Sequence, residues 1–174
     1  MKTRRLIITA LLVAVGLLLP QLFHMAAGKV GGASFLPMHI PVFLAGLLAG
    51  PASGAAVGLL SPLLSAVLTG MPTFEKLPFM ALELMTYGAA AGLLYTRWRA
   101  NVYLSLLTAM AAGRIVNLAA YFAAGSLLQM QGYSWMMAIR SVAVGVPGIL
   151  IQIILIPIIV LACKKVVSVY GKNG

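Results

Sequence analysis

The stretch VAVGVPGILIQIILIPIIVLAC, residues 142–163, is apolar on every side of the helix it would form, and so is LIITALLVAVGLLL at residues 6–19. A helix half-buried on a soluble core alternates an apolar stripe with a polar face, so helices without such a face need lipid or protein all round. About 20 helical residues cover roughly 30 Å, the thickness of a bilayer's hydrocarbon core. These two stretches therefore predict membrane spans, and the intervening chain is read by the same criterion.

Of the 174 residues, 62% are apolar and 8% are charged, against roughly 45–50% and about 25% for a soluble globular domain. Apolar segments at 6–27, 37–50, 53–70, 76–96, 102–128 and 138–163 predict about six transmembrane helices. The fold class expected is all-α, a single bundle in one domain over residues 1–174. The second and third segments are short, and Gly50-Pro51-Ala52-Ser53-Gly54 joins them into a helical hairpin, because Pro lacks an amide hydrogen and Gly tolerates positive φ. Gly70-Met71-Pro72-Thr73 breaks the chain again, Arg97-Trp98-Arg99 marks a polar helix end, and residues 129–135 form a loop before the last span.

The net charge of +10 comes from twelve Lys and Arg against Glu75 and Glu83. Their placement at helix ends and in short loops assigns them to orientation and to lipid head groups of the bilayer rather than to nucleic acid. Lys2, Arg4, Arg5, Arg97, Arg99, Lys164, Lys165 and Lys172 fall on one side of the spans. Lys29 and Lys76 fall on the other, with Arg140 at its edge. The asymmetry places both termini in the cytoplasm, with outer loops at 28–36, 71–75 and 131–135. The basic start and the Ala26-Ala27-Gly28 stretch resemble a signal peptide, but five further apolar segments make the first a retained span. Cys163, the one cysteine, has no internal partner for a disulfide or a metal site.

Ionisable residues inside spans are costly unless they face a cavity or a partner. Arg114 lies about halfway along the fifth span, with Asn117 and Tyr121 three and seven positions later on the same face. Glu83, in the fourth span on a face with Met80 and Tyr87, is within reach of Arg114. The pair is either structural glue or part of a polar ligand site, in which the guanidinium matches a carboxylate with two parallel hydrogen bonds. His39, in Pro37-Met38-His39-Ile40-Pro41, either caps a helix start or joins that site, and His24 is interfacial. Small residues four apart, Ala10 and Ala14, Gly46 and Gly50, Gly54 and Gly58, Gly88 and Gly92, serve close helix packing within the chain or a docking face for another membrane subunit.

There is no His-Glu-x-x-His pair, no Gly-x-x-x-x-Gly-Lys loop and no Gly-x-Ser-x-Gly elbow. Two carboxylates and two histidines leave little for acid–base catalysis. The chain is expected to be a binder and not an enzyme, without cofactor or metal. Any energy for uphill transport then comes from a partner or an ion gradient. A stand-alone secondary transporter or channel would favour an inverted repeat with paired broken helices, which the sequence lacks. A membrane scaffold without a ligand is the remaining rival.

The residues resemble the substrate-binding S components of energy-coupling factor (ECF) transporters over nearly the whole chain. The likeness rests on length, six spans, Phe35-Leu36-Pro37-Met38-His39-Ile40-Pro41-Val42, the turn region from Gly46 to Pro51, and Gly113-Arg114-Ile115-Val116. Ala10-x-x-x-Ala14 is similar to the small-residue face with which such subunits dock on the transmembrane coupling subunit. The resemblance implies a subunit in a bacterial or archaeal cell membrane that captures a vitamin from outside under a loop lid. It also implies association with a membrane coupling protein and two cytoplasmic ATPases, and toppling to release cargo. Arg114 for a carboxylate, with Glu83, Asn117, Tyr121 and His39 for hydroxyl and amide groups, points first to pantothenate. Folate, niacin, pyridoxine-type and queuosine-type ligands stay open.

Overall fold

The structure, a computed structural model, describes residues 2–127, 129 and 135–170. Six helices follow one another: α1 Lys2–Phe35, α2 His39–Ala49, α3 Pro51–Thr69, α4 Leu77–Gly92, α5 Val102–Phe122 and α6 Trp135–Tyr170. Five helices among the described residues are long and apolar enough to cross a membrane, at Thr3–Ala26, Pro51–Thr69, Leu77–Arg97, Val102–Ser126 and Met136–Lys165. The 11 residues of α2 reach about 16 Å at 1.5 Å each, well short of the hydrocarbon core. It is instead the buried centre of the bundle, in contact with α1, α3, α4 and α6.

Local chemistry fixes the helix ends. Gly50 takes φ 100°, which an L side chain rarely adopts, and Pro51 opens α3 at a position where its missing amide hydrogen is not needed. Asn101 caps α5 by accepting a hydrogen bond from the Leu104 amide at 2.6 Å. Wider π turns, Leu93–Arg97 and Ala123–Leu127, finish α4 and α5.

The centre is packed by Val42, Phe43, Leu47, Val57, Leu84, Tyr87, Leu106, Ile156 and Val160. Bulky apolar side chains cover the outside as well, including Leu6, Ile7, Leu11 and Leu18 of α1 and Ile154, Ile158 and Leu161 of α6. Such a surface suits lipid and would be a large apolar liability in water. Of the paired small residues, Gly46, Gly54, Gly58, Gly88 and Gly92 lie where α2, α3 and α4 meet backbone to backbone. Internal packing accounts for them.

The first outer loop, expected over 28–36, is largely helical. α1 breaks at Gly28, with φ 65° and ψ −171°, and helix resumes to Phe35. Glycine supplies the one backbone conformation the break needs, and the following turn packs on α6, where Ser34 and Phe35 crowd Gly148. Residues 131–134 of the expected third outer loop, and Lys172, lie outside the described residues.

Candidate functional site

A cavity of about 650 Å³ opens where the six helices converge with the chain after α3, a size ordinary for small-molecule sites. Arg114, Glu83, Asn117, Tyr121 and His39 all line it. Asn117 and Tyr121 follow Arg114 along one face of α5, as their spacing requires.

Glu83 and Arg114 form the floor. Arg114 Nη1 stands 2.8 Å from Glu83 Oε1, and the side chains are 18% and 7% exposed. Tyr87, one turn along α4, donates its hydroxyl to the same Oε1 at 2.6 Å. Gly113 makes room for this arrangement, since a Cβ there would run into the Tyr87 ring. Arg114 Nη1 also donates to Ser141 Oγ at 3.4 Å, whose hydroxyl is turned to the Ala138 carbonyl at 2.7 Å. The floor thus ties α4, α5 and α6 through one guanidinium. An uncompensated charge at the middle of a span costs roughly 2.5–3.5 kcal/mol on insertion scales, and the pair removes that cost while leaving Arg114 on the cavity wall.

Above the floor, Asn117 Nδ2 donates to the Phe79 carbonyl at 3.4 Å. Tyr121 stacks on the Phe79 ring with centroids 4.2 Å apart and planes 15° from parallel. His39 is 4% exposed, and neither ring nitrogen has a hydrogen-bond partner. It therefore does not cap α2. Its ring sits 5.4 Å from that of Tyr87, at the boundary between the main cavity and a second of about 150 Å³ that reaches Gln152. A buried imidazole without a partner is a hydrogen-bonding capacity held in reserve, because leaving such a group unsatisfied costs about 1–3 kcal/mol.

Ser141, Lys76 and Arg140 also line the cavity and were not legible as site residues. Lys76 and Arg140 carry the same letters that orient a chain in a bilayer, and Ser141 reaches Arg114 only through the packing of α6 on α5. Tyr87 did leave a signal, its place four residues after Glu83. Ala10 and Ala14 are both exposed on α1, a turn or more toward the N-terminus from Pro20, Gln21 and His24, which border the cavity. Among the described residues no three of His, Cys, Asp and Glu gather as a metal site would require.

Side chains able to hydrogen-bond thus line one cavity from four helices, α2, α4, α5 and α6. No curated protein and no solved structure matches the chain. Residues 4–160 match the family described as ECF transporter, substrate-specific component. That match covers the six helices nearly end to end and includes every cavity residue described above, so this multi-pass membrane chain belongs to the substrate-specific components of ECF transporters.

Proposed function

We propose that the chain captures a small water-soluble vitamin, pantothenate first among them, from outside a bacterial or archaeal cell and hands it to a coupling subunit served by two cytoplasmic ATPases. The observation that carries this reading is the single cavity wall shared by Arg114, Glu83, Asn117, Tyr121 and His39. Family membership supplies the transport role and the need for a coupling module. Pantothenate suits the wall because it offers one carboxylate, two hydroxyls and an amide. The guanidinium would serve an anionic oxygen and the Asn117 amide and the His39 ring neutral polar groups, while Met38, Met80 and Val144 on the lining offer an apolar surface for the aliphatic part.

Mass spectrometry of small molecules released from the detergent-purified full chain tests the proposal. A vitamin retained in about one-to-one ratio is expected, and pantothenate displacing it would fix the assignment. A chain that retains no vitamin and is stabilised by none in a thermal-shift panel would overturn it.

A further inference from the structure

Among the described residues, three cations and one carboxylate line the main cavity: Lys76, Arg114 and Arg140 against Glu83. Glu83 is already taken, its Oε1 being 2.8 Å from Arg114, so the floor is close to neutral as a unit. Among the described residues, neither Lys76 nor Arg140 takes part in an ion pair. Glu75, the neighbour of Lys76, is not on the lining. Among the described residues, the positive charge on the lining that Glu83 does not offset therefore comes from Lys76 and Arg140.

Burial places them at the mouth. Both are exposed, whereas Glu83, His39 and Asn117 are buried and Arg114 is half-buried. Lys76 precedes the first residue of α4, seven positions before Glu83, which is about 10 Å of helix rise. Arg140 stands within the first two turns of α6, and Ser141 beside it reaches the floor at Arg114. The two cations line the opening from different elements, the turn that leads into α4 and the first turns of α6, and a cleft lined by one sign of charge concentrates ions of the opposite sign.

We infer that Lys76 and Arg140 are the residues that make this cavity select a negatively charged ligand over its neutral counterpart. The inference rests on the proposed vitamin-binding reading and divides the labour within it. The paired Arg114 contributes the directional hydrogen bonds at the floor, and the mouth cations contribute the net charge. The ligand class is a small carboxylic acid, ionised at neutral pH, with uncharged polar groups beyond the acid.

The test uses the full chain in detergent and matched pairs of acid and neutral analogue: pantothenate with panthenol, nicotinate with nicotinamide, biotin with its methyl ester. Thermal shift finds the pair that binds, and equilibrium binding is then measured on wild type, K76Q/R140Q and K76R/R140K. The acid of one pair should bind wild type at least tenfold better than its neutral partner, with affinity falling as salt is raised. In K76Q/R140Q the acid should lose about three- to tenfold, the scale of two solvent-facing charges, and its salt dependence should flatten. The neutral partner should be unaffected, and K76R/R140K should behave as wild type. Equal binding of acid and neutral partner by wild type, or an unchanged acid affinity in K76Q/R140Q, overturns the inference while leaving vitamin binding intact. Stabilisation by phosphatidylglycerol in place of any acid, lost in K76Q/R140Q, overturns it by assigning the cations to lipid. No stabilisation by any member of the three pairs, with another vitamin found by mass spectrometry to be neutral, overturns it as well. No vitamin at all removes the reading beneath it.

Discussion

Gly54 of α3 and Gly88 of α4 each occupy the space in which the other's Cβ would stand, and Gly46 of α2 presses on the same Gly88 carbonyl. Three helices thus meet at one residue without a side chain between them. The obstacles a side chain would strike there are backbone atoms, which cannot swing aside. Gly88→Val should therefore force α3 and α4 apart and cost at least the roughly 1–3 kcal/mol of an overpacked core. Thermal unfolding of the detergent-solubilised protein reads this directly, with Ala52→Val, at an exposed position of α3, as the control. Equal melting of the two variants would refute the close approach.

Glu83 and Lys76 of the cavity lining both precede Gly88 along the chain, and the orientation of the bundle decides which side of the membrane the cavity serves. The excess of Lys and Arg on the side of Arg4, Arg5, Arg97 and Arg99 predicts cytoplasmic termini. In a Cys163→Ala background, Thr73→Cys should react with a membrane-impermeant maleimide added to intact cells, while Trp98→Cys should react only after permeabilisation. Both native side chains lie at exposed positions outside the regular helices. The reverse pattern would turn the cavity toward the cytoplasm.

Ala10 and Ala14 share an exposed face of α1, away from the cavity lining. Small residues four apart let a second membrane helix approach closely, and the coupling subunit is the proposed occupant. Ala14→Trp should abolish or sharply reduce ATP-driven uptake, yet leave ligand affinity of the isolated subunit within about twofold of wild type, a difference of roughly 0.4 kcal/mol. Undiminished uptake by this variant would leave α1 facing lipid there.

Several features of this arrangement were readable from residue order alone. The helices follow from unbroken apolar runs, and the α5 face of Arg114, Asn117 and Tyr121 follows from the 3.6-residue turn. The meeting of Glu83 with Arg114 could be anticipated because a deep charge needs a partner and Glu83 was the one carboxylate within a span. The helical turn after Gly28 was not readable, because Gly-rich sequence reads as loop and the turn is held by contact with Gly148 of α6, a partner more than a hundred residues away. The role of Lys76 and Arg140 was hidden for a different reason. A basic residue at a helix end has an orienting role in any membrane protein, and only the shape of the cavity distinguishes those facing inward.

Arg114 decides between glue and recognition. Its pair with Glu83 at 2.8 Å satisfies the charge, and pairing alone would be served by an ammonium group as well as by a guanidinium. What Lys cannot reproduce is the planar fork, which presents two parallel donors to one carboxylate or to an oxygen pair on a ligand. Arg114→Lys should therefore keep most of the folding stability, since Glu83 retains a cation and the hydroxyl of Tyr87 at 2.6 Å. Ligand binding should weaken by about 1.5–3 kcal/mol, the scale of a charge-assisted hydrogen bond, or roughly ten- to a hundredfold. Calorimetry on the folded variant, titrated with the vitamin that wild type retains, measures that loss. Loss of yield accompanied by an unchanged dissociation constant would confine Arg114 to the ion pair. Weakened binding in Arg114→Lys with salt dependence still like wild type would assign hydrogen-bond geometry to the floor and net charge to the mouth, because the variant keeps every charge and changes only the donor geometry.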